Sequence, residues 1–279
     1  MKYSSLTFSA FIFLNIFIWY WVIAGAPSDV LDVYFLDVGQ GDSSLIVLPY
    51  GPKVLIDGGP DKSVLAQLDK ILTPTDRYID LLILSHPEMD HFAGFIPVLD
   101  RYRIGAFVYN GRDGEIEAWK DLLKILEEKR IPTIVLGAGD KINYRDNDID
   151  ILSPDENFVR GELNNTALVA KLDSEGAKLL FTGDIGFKVE EKLIDKYNLD
   201  IDVLKVAHHG SKYSSGINFI SEATPLFSVI QVGKNRYGHP TKEAIARLAQ
   251  TGSSIYRNDE DGLVHFKIKD GRLNIFKEK

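Results

Sequence analysis

The segment LLILSHPEMDH, residues 81–91, runs from an apolar stretch directly into a cluster of side chains that can bind metal. His86, Glu88, Asp90 and His91 stand at positions i, i+2, i+4 and i+5. In an extended turn, the first two can face one ion while the last two face another. Imidazole nitrogen combined with carboxylate oxygen suits Zn, Mn or Fe better than Ca or Mg. The segment therefore predicts a fold in which a buried strand ends at an open, polar loop.

The same arrangement, an apolar strand that breaks into a polar loop, occurs in three more places. KLLFTGDI carries Asp184, DVLKVAHHGS carries His208 and His209, and VLIDGG carries Asp57. Folds place chemistry at strand ends because the strand fixes position while the loop lets side chains converge. Taken singly, Asp184 reads as a helix cap, the histidine pair as a solvated loop, and His239 as a helix-entry residue. Four of the six histidines lie in these loops, however, and a fifth, His239, lies in the further loop YGHP; this coincidence predicts a metal site.

The composition restricts both the fold and the ligands. With 279 residues, 45% of them hydrophobic, the chain has enough apolar material for one large core, and we treat residues 30–279 as one domain. The formal charge of -8 argues against binding nucleic acid through broad surface electrostatics, although it leaves room for a local basic rim. Because the chain has no cysteine, any metal must be bound by His, Asp, Glu or Asn.

Short apolar strands separated by glycine turns fill the first part of this domain. LDVYFLD, SSLIVLP and KVLIDGG read as a meander, and later strands are predicted at about 132–136, 148–152, 166–172, 178–182 and 202–207. Helices are predicted at about 62–72, over GEIEAWKDLLKILEEKR, and from near Pro240 to Gly252. The tail LVHFKIKDGRLNIF alternates like a hairpin around Asp270-Gly271. This order predicts an α/β protein with two sheets covered by helices, an αββα sandwich.

The amino-terminal segment from residue 6 to residue 26 carries no charge and, at ~1.5 Å per helical residue, reaches roughly 31 Å. It predicts an uncleaved transmembrane anchor, with residues 1–5 in the cytoplasm. The rival interpretation is a signal peptide with its cleavage site at Ala24-Gly25-Ala26. Lys2 precedes the segment while Asp29 and Asp32 follow it, which favours an extracytoplasmic domain. We expect a single-pass protein of the cell membrane, or a secreted one.

The motifs resemble those of a known family. SHPEMDH is similar to the signature H-x-[HD]-x-D-H of the metallo-β-lactamase fold, and IDGG, FTGDI and HHGS resemble its companion motifs in the expected order. More narrowly, LDVGQGDS, NNTALV, FTGDI, LKVAHHGS and YGHP together resemble the hydrolase domain of the competence protein ComEC, the DNA-uptake channel. The resemblance runs from about residue 30 to residue 279.

The resemblance implies a site for two divalent metal ions, Zn²⁺ or Mn²⁺. His86 and Glu88 would serve one position, Asp90 and His91 the other, and Asp184 would bridge both. His208 or His209 would complete the second position, and we favour His208 because it lies closer to the strand end. ComEC-like proteins usually have Asp where this chain has Glu88, which makes the first position the weaker one.

Supporting and catalytic roles are implied in the same way. Asp57 would brace the turn beneath the metals, and Asn165 would support the site where the wider fold has a histidine. Asp90 would orient the attacking water, and His209 or His239 would donate a proton to the departing oxygen.

A basic rim with aromatic neighbours is predicted around the site. Tyr213 and Tyr237 accompany the rim and can stack on bases. The competing interpretation is that such lysines are ordinary solvated surface. The predicted cations of the rim are Lys205, Lys212, Lys234 and Arg236.

These features lead to three hypotheses for function. The first is a phosphodiesterase or nuclease that cleaves DNA, expected to be single-stranded, outside the cytoplasmic membrane during DNA uptake. The second is hydrolysis of another exported ester, such as a phosphocholine, a phospholipid or a lactone. The third is a non-catalytic metal-binding domain that partners a DNA-uptake channel protein. Fold alone does not decide between the first two.

Overall fold

Two β-sheets stacked face to face form the centre of the protein in the computed structural model, which describes residues 2–24, 28–155 and 160–279. For residues 2–6 and 21–24 it describes the backbone alone. The first sheet has the strand order β15-β14-β1-β2-β3-β4-β5-β6. Its strands are β1 Leu31–Phe35, β2 Ser44–Val47, β3 Lys53–Ile56, β4 Tyr78–Ile83, β5 Arg103–Tyr109, β6 Thr133–Val135, β14 Val264–Lys269 and β15 Arg272–Lys277.

The second sheet has the strand order β13-β12-β11-β10-β9-β8-β7. Its strands are β7 Lys141–Tyr144, β8 Asn147–Ser153, β9 Val169–Ser174, β10 Ala177–Phe181, β11 Val203–Lys205, β12 Phe227–Ile230 and β13 Ser254–Arg257. Each sheet combines an antiparallel half, made by hairpins, with a parallel half, made by strands that alternate with helices. Crossover helices must pack on a sheet face, so the parallel halves are the ones covered by helices.

Helices cover the outer faces of both sheets. The helices of the described residues are α1 Lys2–Ala24, α2 Ser63–Ile71, α3 Met89–Phe92, α4 Phe95–Arg101, α5 Glu117–Glu128, α6 Phe187–Lys196, α7 Ile217–Ala223, α8 Lys242–Gln250 and α9 Asn258–Asp261. The described side chains of α1 are almost all exposed. Buried side chains of α2, α4 and α5 pack on the first sheet, and those of α6, α7 and α8 pack on the second. A third apolar cluster fills the space between the sheets and includes Phe35, Phe181 and Phe266. The predicted αββα sandwich is confirmed.

Two predicted element boundaries are wrong for local reasons. The last long helix was expected to begin near Pro240, but α8 begins at Lys242, because Thr241 is the N-cap and its Oγ1 accepts the Ala244 N–H at 3.3 Å. The strand expected from residue 166 begins at Val169, because Asn164–Thr166 form a 3₁₀ turn. This turn keeps Asn165 at the surface of the domain rather than in the sheet.

The topology gathers strand ends at one edge of the sandwich. Strands β3 and β4 are parallel neighbours in the first sheet, and β10 and β11 are parallel neighbours in the second. Their carboxyl ends lead directly to Asp57, His86, Asp184 and His208-His209, respectively. Because carboxyl ends of parallel strands meet at the same edge, loops from both sheets converge there.

The predicted membrane anchor falls partly on residues outside the described part of the chain. The structure does not describe residues 25 and 26, and so most of the predicted Ala24-Gly25-Ala26 cleavage site lies outside the described residues. The side chains of residues 21–24 are also not described. Among the helices as far as they are described, none is long and apolar enough to cross a bilayer. The anchor, the cytoplasmic residues 1–5 and the extracytoplasmic placement of residues 30–279 stay predictions.

Candidate metal centre

His91 is held in one orientation by the turn that follows β3. Its Nδ1 lies 2.9 Å from Asp57 Oδ2, and Asp57 Oδ1 accepts the Ser85 N–H at 2.8 Å. Asp57 is buried, and within the described part of the chain these groups and the Ser85 hydroxyl are the hydrogen-bond partners of its carboxylate. Because the carboxylate can only accept, His91 carries a proton on Nδ1 and directs Nε2 into the site. These are the contacts expected of a bracing residue at Asp57.

His86 is oriented by the same serine. The Ser85 hydroxyl donates to Asp57 Oδ2 at 2.8 Å, so its lone pairs accept from His86 Nδ1 at 3.0 Å. His86 is fully buried. Its Nε2 is therefore the unprotonated nitrogen, and it faces Glu88, whose Oε2 lies 3.8 Å away.

His209 reaches the site from the second sheet. Residues His208 and His209 have φ values of 51° and 52°, in the left-handed region, where the chain turns sharply after β11. His209 is buried, and its Nδ1 donates to the Gln231 carbonyl at 2.9 Å. As in His86 and His91, this leaves Nε2 as the nitrogen that faces the site.

The three Nε2 atoms meet a set of carboxylates. Asp184 Oδ2 lies 3.5 Å from His91 Nε2 and 3.4 Å from His209 Nε2, and Asp90 Oδ2 lies 3.3 Å from His209 Nε2. Among the described residues, none of the three Nε2 atoms has a hydrogen-bond partner. Donor atoms within 4.8 Å of one another form four groups: His86, His91 and Asp184; Asp90, His91 and His209; Asp42, Asp184 and His209; and Asp42, Asp57 and His91.

This donor set fits a divalent cation. Lone pairs of imidazole that face carboxylates in a buried site repel each other unless a positive charge lies between them. The second nitrogen of each histidine is already fixed by a carboxylate, a hydroxyl or a carbonyl, as is usual for histidines that bind metal. The group with Asp57 is an exception, because Asp57 already accepts the His91 Nδ1 proton.

The pKa shifts of the site residues also favour a positive charge at this position. Burial alone would lower the pKa of His91, but Asp184, Asp57 and Asp90 raise that pKa well above 6.5. Burial is likewise outweighed at His209, where Asp184 and Asp42 raise the pKa to about 10. Burial would raise the pKa of Asp90, yet His91 and His209 hold it at about 2. The potential around the Nε2 atoms is thus strongly negative, and a proton or a metal ion is attracted to the same place.

Comparison with known proteins identifies the family. A model of the Metallo-beta-lactamase superfamily matches residues 36–233, a stretch that contains every residue of the four donor groups. The chain belongs to the metallo-beta-lactamase superfamily. It is a metal-dependent hydrolase of that superfamily.

Solved structures of the metallo-beta-lactamase fold superpose on this chain. YhfI from Bacillus subtilis does so with a TM-score of 0.58 at 15% identity, over 89% of this chain and 100% of its own. A diphosphatase from the PhnP family does so with a TM-score of 0.50 at 13% identity, over 86% of this chain and 99% of its own. At these identities the likeness shows the fold alone.

Competence proteins are similar in sequence. ComE operon protein 3 of Bacillus subtilis is 29% identical over 260 residues, which cover 86% of this chain and 33% of that protein. Competence protein ComA of Neisseria gonorrhoeae is 29% identical over 260 residues, covering 90% of this chain and 35% of that protein. The chain thus spans about a third of the length of these relatives.

Two further residues of the metallo-beta-lactamase site were not foreseen from the sequence. Lys205 was expected on the basic rim, and this prediction is wrong, because its side chain is buried. Its Nζ contacts Asp42 Oδ2, lies 3.8 Å from Asp184 Oδ1 and donates to the Gly183 carbonyl at 3.0 Å. Asp42, also buried, places Oδ1 3.2 Å from His209 Nδ1. The position of Asp42 in the LDVGQGDS motif was a signal for this residue, whereas nothing in DVLKV distinguished Lys205 from a solvated lysine.

The other predicted ligands lie at the margin of the cluster. Glu88 is 36% exposed at its side chain and lies outside the four donor groups. His208 is 32% exposed, and its Nε2 lies 3.9 Å from Asp184 Oδ2. Burial lowers the pKa of His208 and of His239, whose rings are 5.7 Å apart. His239 Nδ1 is buried without a hydrogen-bond partner among the described residues.

Asn165 and His265 lie outside the donor cluster. Asn165 Oδ1 accepts the Gly186 N–H at 3.2 Å, which joins the NNT turn to the loop after Asp184. His265 Nε2 pairs with Asp32 at 2.7 Å on the face of β14, and the ring stacks on Tyr34. The contact of Asn165 is of the kind expected of a supporting residue, and His265 takes part in the packing of the first sheet.

Two open clefts flank the centre. The first, of about 590 Å³, is lined by Asn165, Phe187 and Tyr213, and the second, of about 440 Å³, by Met89, Tyr237 and His239. Both clefts are also lined by Glu88, Asp184 and His208. Of the predicted rim, Lys212, Lys234, Arg236 and Tyr237 are exposed.

The loop that carries Tyr213 is organised by two buried or half-buried charges. Glu190 of α6 accepts the N–H groups of Ser215 and Gly216. Arg247 of α8 donates to the carbonyls of Ser214 and Ser215 at 2.8 and 2.7 Å. Burial raises the pKa of Glu190 to about 7, although these N–H groups and Arg247 lower it and Glu191 raises it slightly.

This pKa predicts a pH-dependent stability. Because the pKa of Glu190 is about 7 in the folded protein and near 4.5 in the unfolded chain, the folded state binds the proton more tightly. The contribution of Glu190 to the free energy of unfolding is therefore largest below pH ~4.5 and falls by roughly 3 kcal/mol as the pH rises through ~7. Glu190→Gln should remove this dependence, measured as the wild-type minus variant difference in urea unfolding between these pH values. A pH-independent difference would contradict the prediction, and the exposed Glu191→Gln is the matched control.

Proposed function

We propose that this chain is a metal-dependent phosphodiesterase that cleaves DNA outside the cytoplasmic membrane. The observation that carries the proposal is the convergence of three buried Nε2 atoms on Asp184, from loops of both sheets and without a hydrogen-bond partner among the described residues. Metal centres that combine imidazole with carboxylate suit phosphoryl chemistry. The competence-protein relatives support DNA as the substrate class and a DNA-uptake channel as the partner.

Five residues would hold the metal: His86, Asp90, His91, Asp184 and His209. Asp184 belongs to the groups around both His86 and His209, so it is the residue suited to join two positions. Glu88 lies beside His86 and would complete the first position, which is therefore the weaker one. We propose Zn²⁺ or Mn²⁺, because the donors combine imidazole with carboxylate.

Bound divalent ions would supply a water of lowered pKa and polarise a phosphoryl oxygen. The protein positions the reaction around them. Asp90 is held ionised beside His209 and is 31% exposed toward the second cleft, so its free oxygen can accept a hydrogen bond from an attacking water. His239 lines the same cleft and is the residue proposed to hydrogen-bond the departing oxygen.

The two adjacent histidines should behave differently when mutated. His209→Ala removes a buried Nε2 that faces Asp90 and Asp184, and we expect it to weaken metal affinity by about a hundredfold or more. His208→Ala removes a partly exposed ring at 3.9 Å and should leave the metal content near that of the wild type. Elemental analysis after gel filtration checks both variants. Loss of metal in His208→Ala with full metal in His209→Ala would reverse the assignment.

The function is tested with a substrate panel. Full-length protein purified without chelator would be assayed on single-stranded DNA, RNA, bis-p-nitrophenyl phosphate, phosphocholine and lactones, before and after EDTA treatment, with Mn²⁺ or Zn²⁺ restored. We expect hydrolysis of DNA and of bis-p-nitrophenyl phosphate that EDTA abolishes and metal restores. Cleavage of lactones or phosphocholine without cleavage of DNA would overturn the proposal, and inactivity on all substrates with metal bound would favour a non-catalytic partner of a channel.

The amino-terminal segment is proposed to anchor the enzyme in the cell membrane with its domain outside the cytoplasm. The uncharged sequence of residues 6–26 supports this placement. Protease added to intact cells should remove the domain from a membrane-bound product. Protection from protease, or recovery of the chain in the cytoplasmic fraction, would overturn the placement while leaving the chemistry untouched.

A further inference from the structure

Each of the two clefts is lined by a tyrosine that has a cation from the preceding residue over its ring. In the first cleft, Lys212 Nζ lies 5.0 Å from the centre of the Tyr213 ring. In the second, the Arg236 guanidinium lies 5.7 Å from the centre of the Tyr237 ring. Both tyrosines are largely exposed, at 65% and 63%. Each pair thus offers a stacking face beside a cation, and Asp184 lies at the bottom where the two clefts meet.

Both loops are built to hold the tyrosine in place. The first is held by Glu190 and Arg247, as described above, and the Tyr213 carbonyl accepts the Phe187 N–H at 3.3 Å. In the second, Asn235 Oδ1 accepts the N–H groups of Tyr237 and His239 at 3.0 and 3.1 Å. The Tyr237 ring also stacks on His239 with an interplanar angle of 21°. Backbone hydrogen bonds and packing thus fix the position of both tyrosines.

We infer that the metal centre binds an internal segment of single-stranded DNA. One base stacks on each tyrosine, and the phosphodiester linkage that is cleaved lies at Asp184. An aromatic face accepts any base, and a cation beside it accepts the neighbouring phosphate. An enzyme restricted to strand ends needs a wall that stops the chain on one side of the reacting phosphate. Here open clefts of similar size leave the centre in both directions. The inference rests on the proposed phosphodiesterase function and adds that the enzyme cleaves internal linkages.

The acidic residues of the two clefts do not prevent a DNA strand from binding along them. Glu88 and Glu162 line the first cleft, but Lys188 lines it as well and Lys212 stands at its rim. In the second cleft the acidic residues are Glu88, Asp90 and Asp184, which face the metal positions. A cation thus stands beside the tyrosine of each cleft, and the carboxylates shared by the clefts lie at the centre, where metal ions would offset their charge.

The test is a covalently closed single-stranded DNA circle, incubated with full-length protein in detergent and Mn²⁺. We expect the circle to be opened and then reduced to fragments at a rate similar to that of the linear strand. If linear DNA is shortened from its ends while the circle stays intact, internal cleavage is overturned but the phosphodiesterase proposal stands. If only bis-p-nitrophenyl phosphate is hydrolysed, the inference and the DNA substrate both fall. If nothing is hydrolysed with metal bound, the proposed function falls as well.

Variants test the two tyrosines separately. Tyr213→Ala and Tyr237→Ala should each weaken binding of an oligothymidylate strand by about tenfold, measured by fluorescence anisotropy in EDTA, and raise the KM for the circle. Tyr213→Phe and Tyr237→Phe should bind like the wild type, because they keep the ring. Tyr50→Ala is the matched control, since Tyr50 also has a cation over its ring but lies at the opposite end of the sandwich. Loss of binding in only one tyrosine variant would overturn the two-sided path.

Discussion

Asp184→Ala is expected to reduce hydrolysis of bis-p-nitrophenyl phosphate by about three orders of magnitude. Asp184 is buried, and its Oδ2 lies within 3.5 Å of Nε2 atoms that come from both sheets. Without this carboxylate, the donor groups around His86 and His209 no longer share a ligand. The measurement is the initial rate at saturating Mn²⁺, together with the metal bound per chain after gel filtration.

The control for this variant is Asp195→Ala, which removes an exposed aspartate from α6 and should keep full activity and metal content. Asp184→Asn keeps the size of the side chain but loses the charge, so it should resemble Asp184→Ala rather than the wild type. Circular dichroism separates loss of ligand from loss of fold. Hydrolysis by a folded Asp184→Ala protein within tenfold of the wild-type rate would remove Asp184 from the metal centre.

Lys205→Met is expected to lower the free energy of unfolding by about 4 kcal/mol in the presence of EDTA. Methionine matches the length of lysine but removes the ammonium group that contacts Asp42 and faces Asp184. Both carboxylates are buried, and each would lose its ammonium partner and keep only imidazole neighbours. Such a loss is a large share of the ~5–15 kcal/mol that stabilises a typical domain, and urea unfolding measures it directly.

A second substitution separates charge pairing from packing. Lys205→Met combined with Asp42→Asn removes both members of the buried pair and should recover part of the stability, giving a coupling energy in a double-mutant cycle. Lys120→Met, which breaks the exposed pair of Lys120 with Glu117, should change the free energy of unfolding by less than ~1 kcal/mol. If Lys205→Met behaved like Lys120→Met, the buried ammonium would have no role in holding the site together.

The architecture and much of the site could be predicted because they depend on local sequence signals. Strands that end in polar loops indicated where side chains would converge, and the structure brings Asp57, His86, Asp90, His91 and Asp184 together at one edge. These residues directly follow β3, β4 and β10, so the strand positions already determine their placement. The hairpin of β14 and β15 around Asp270-Gly271 was equally local.

The features that were missed depend on conformation or on distant contacts. Distance from the strand end favoured His208, but the left-handed φ angles at both histidines turn His209 inward and leave His208 partly exposed. Lys205 was assigned to the rim because lysine is usually solvated, and only its proximity to Asp42, from the other sheet, explains its burial. No spacing within DVLKV reveals that distant partner.

The donors come from opposite layers of the sandwich: His86, Asp90 and His91 from the first sheet, and Asp184 and His209 from the second. Neither layer can assemble the site alone, so metal capture must come late, after the layers have closed on each other. A bound ion then cross-links the two layers, and its binding free energy opposes their separation. The chain is therefore inactive until its folding is nearly complete. Removal of the metal by a chelator should weaken the contact between the two layers before it disrupts either sheet.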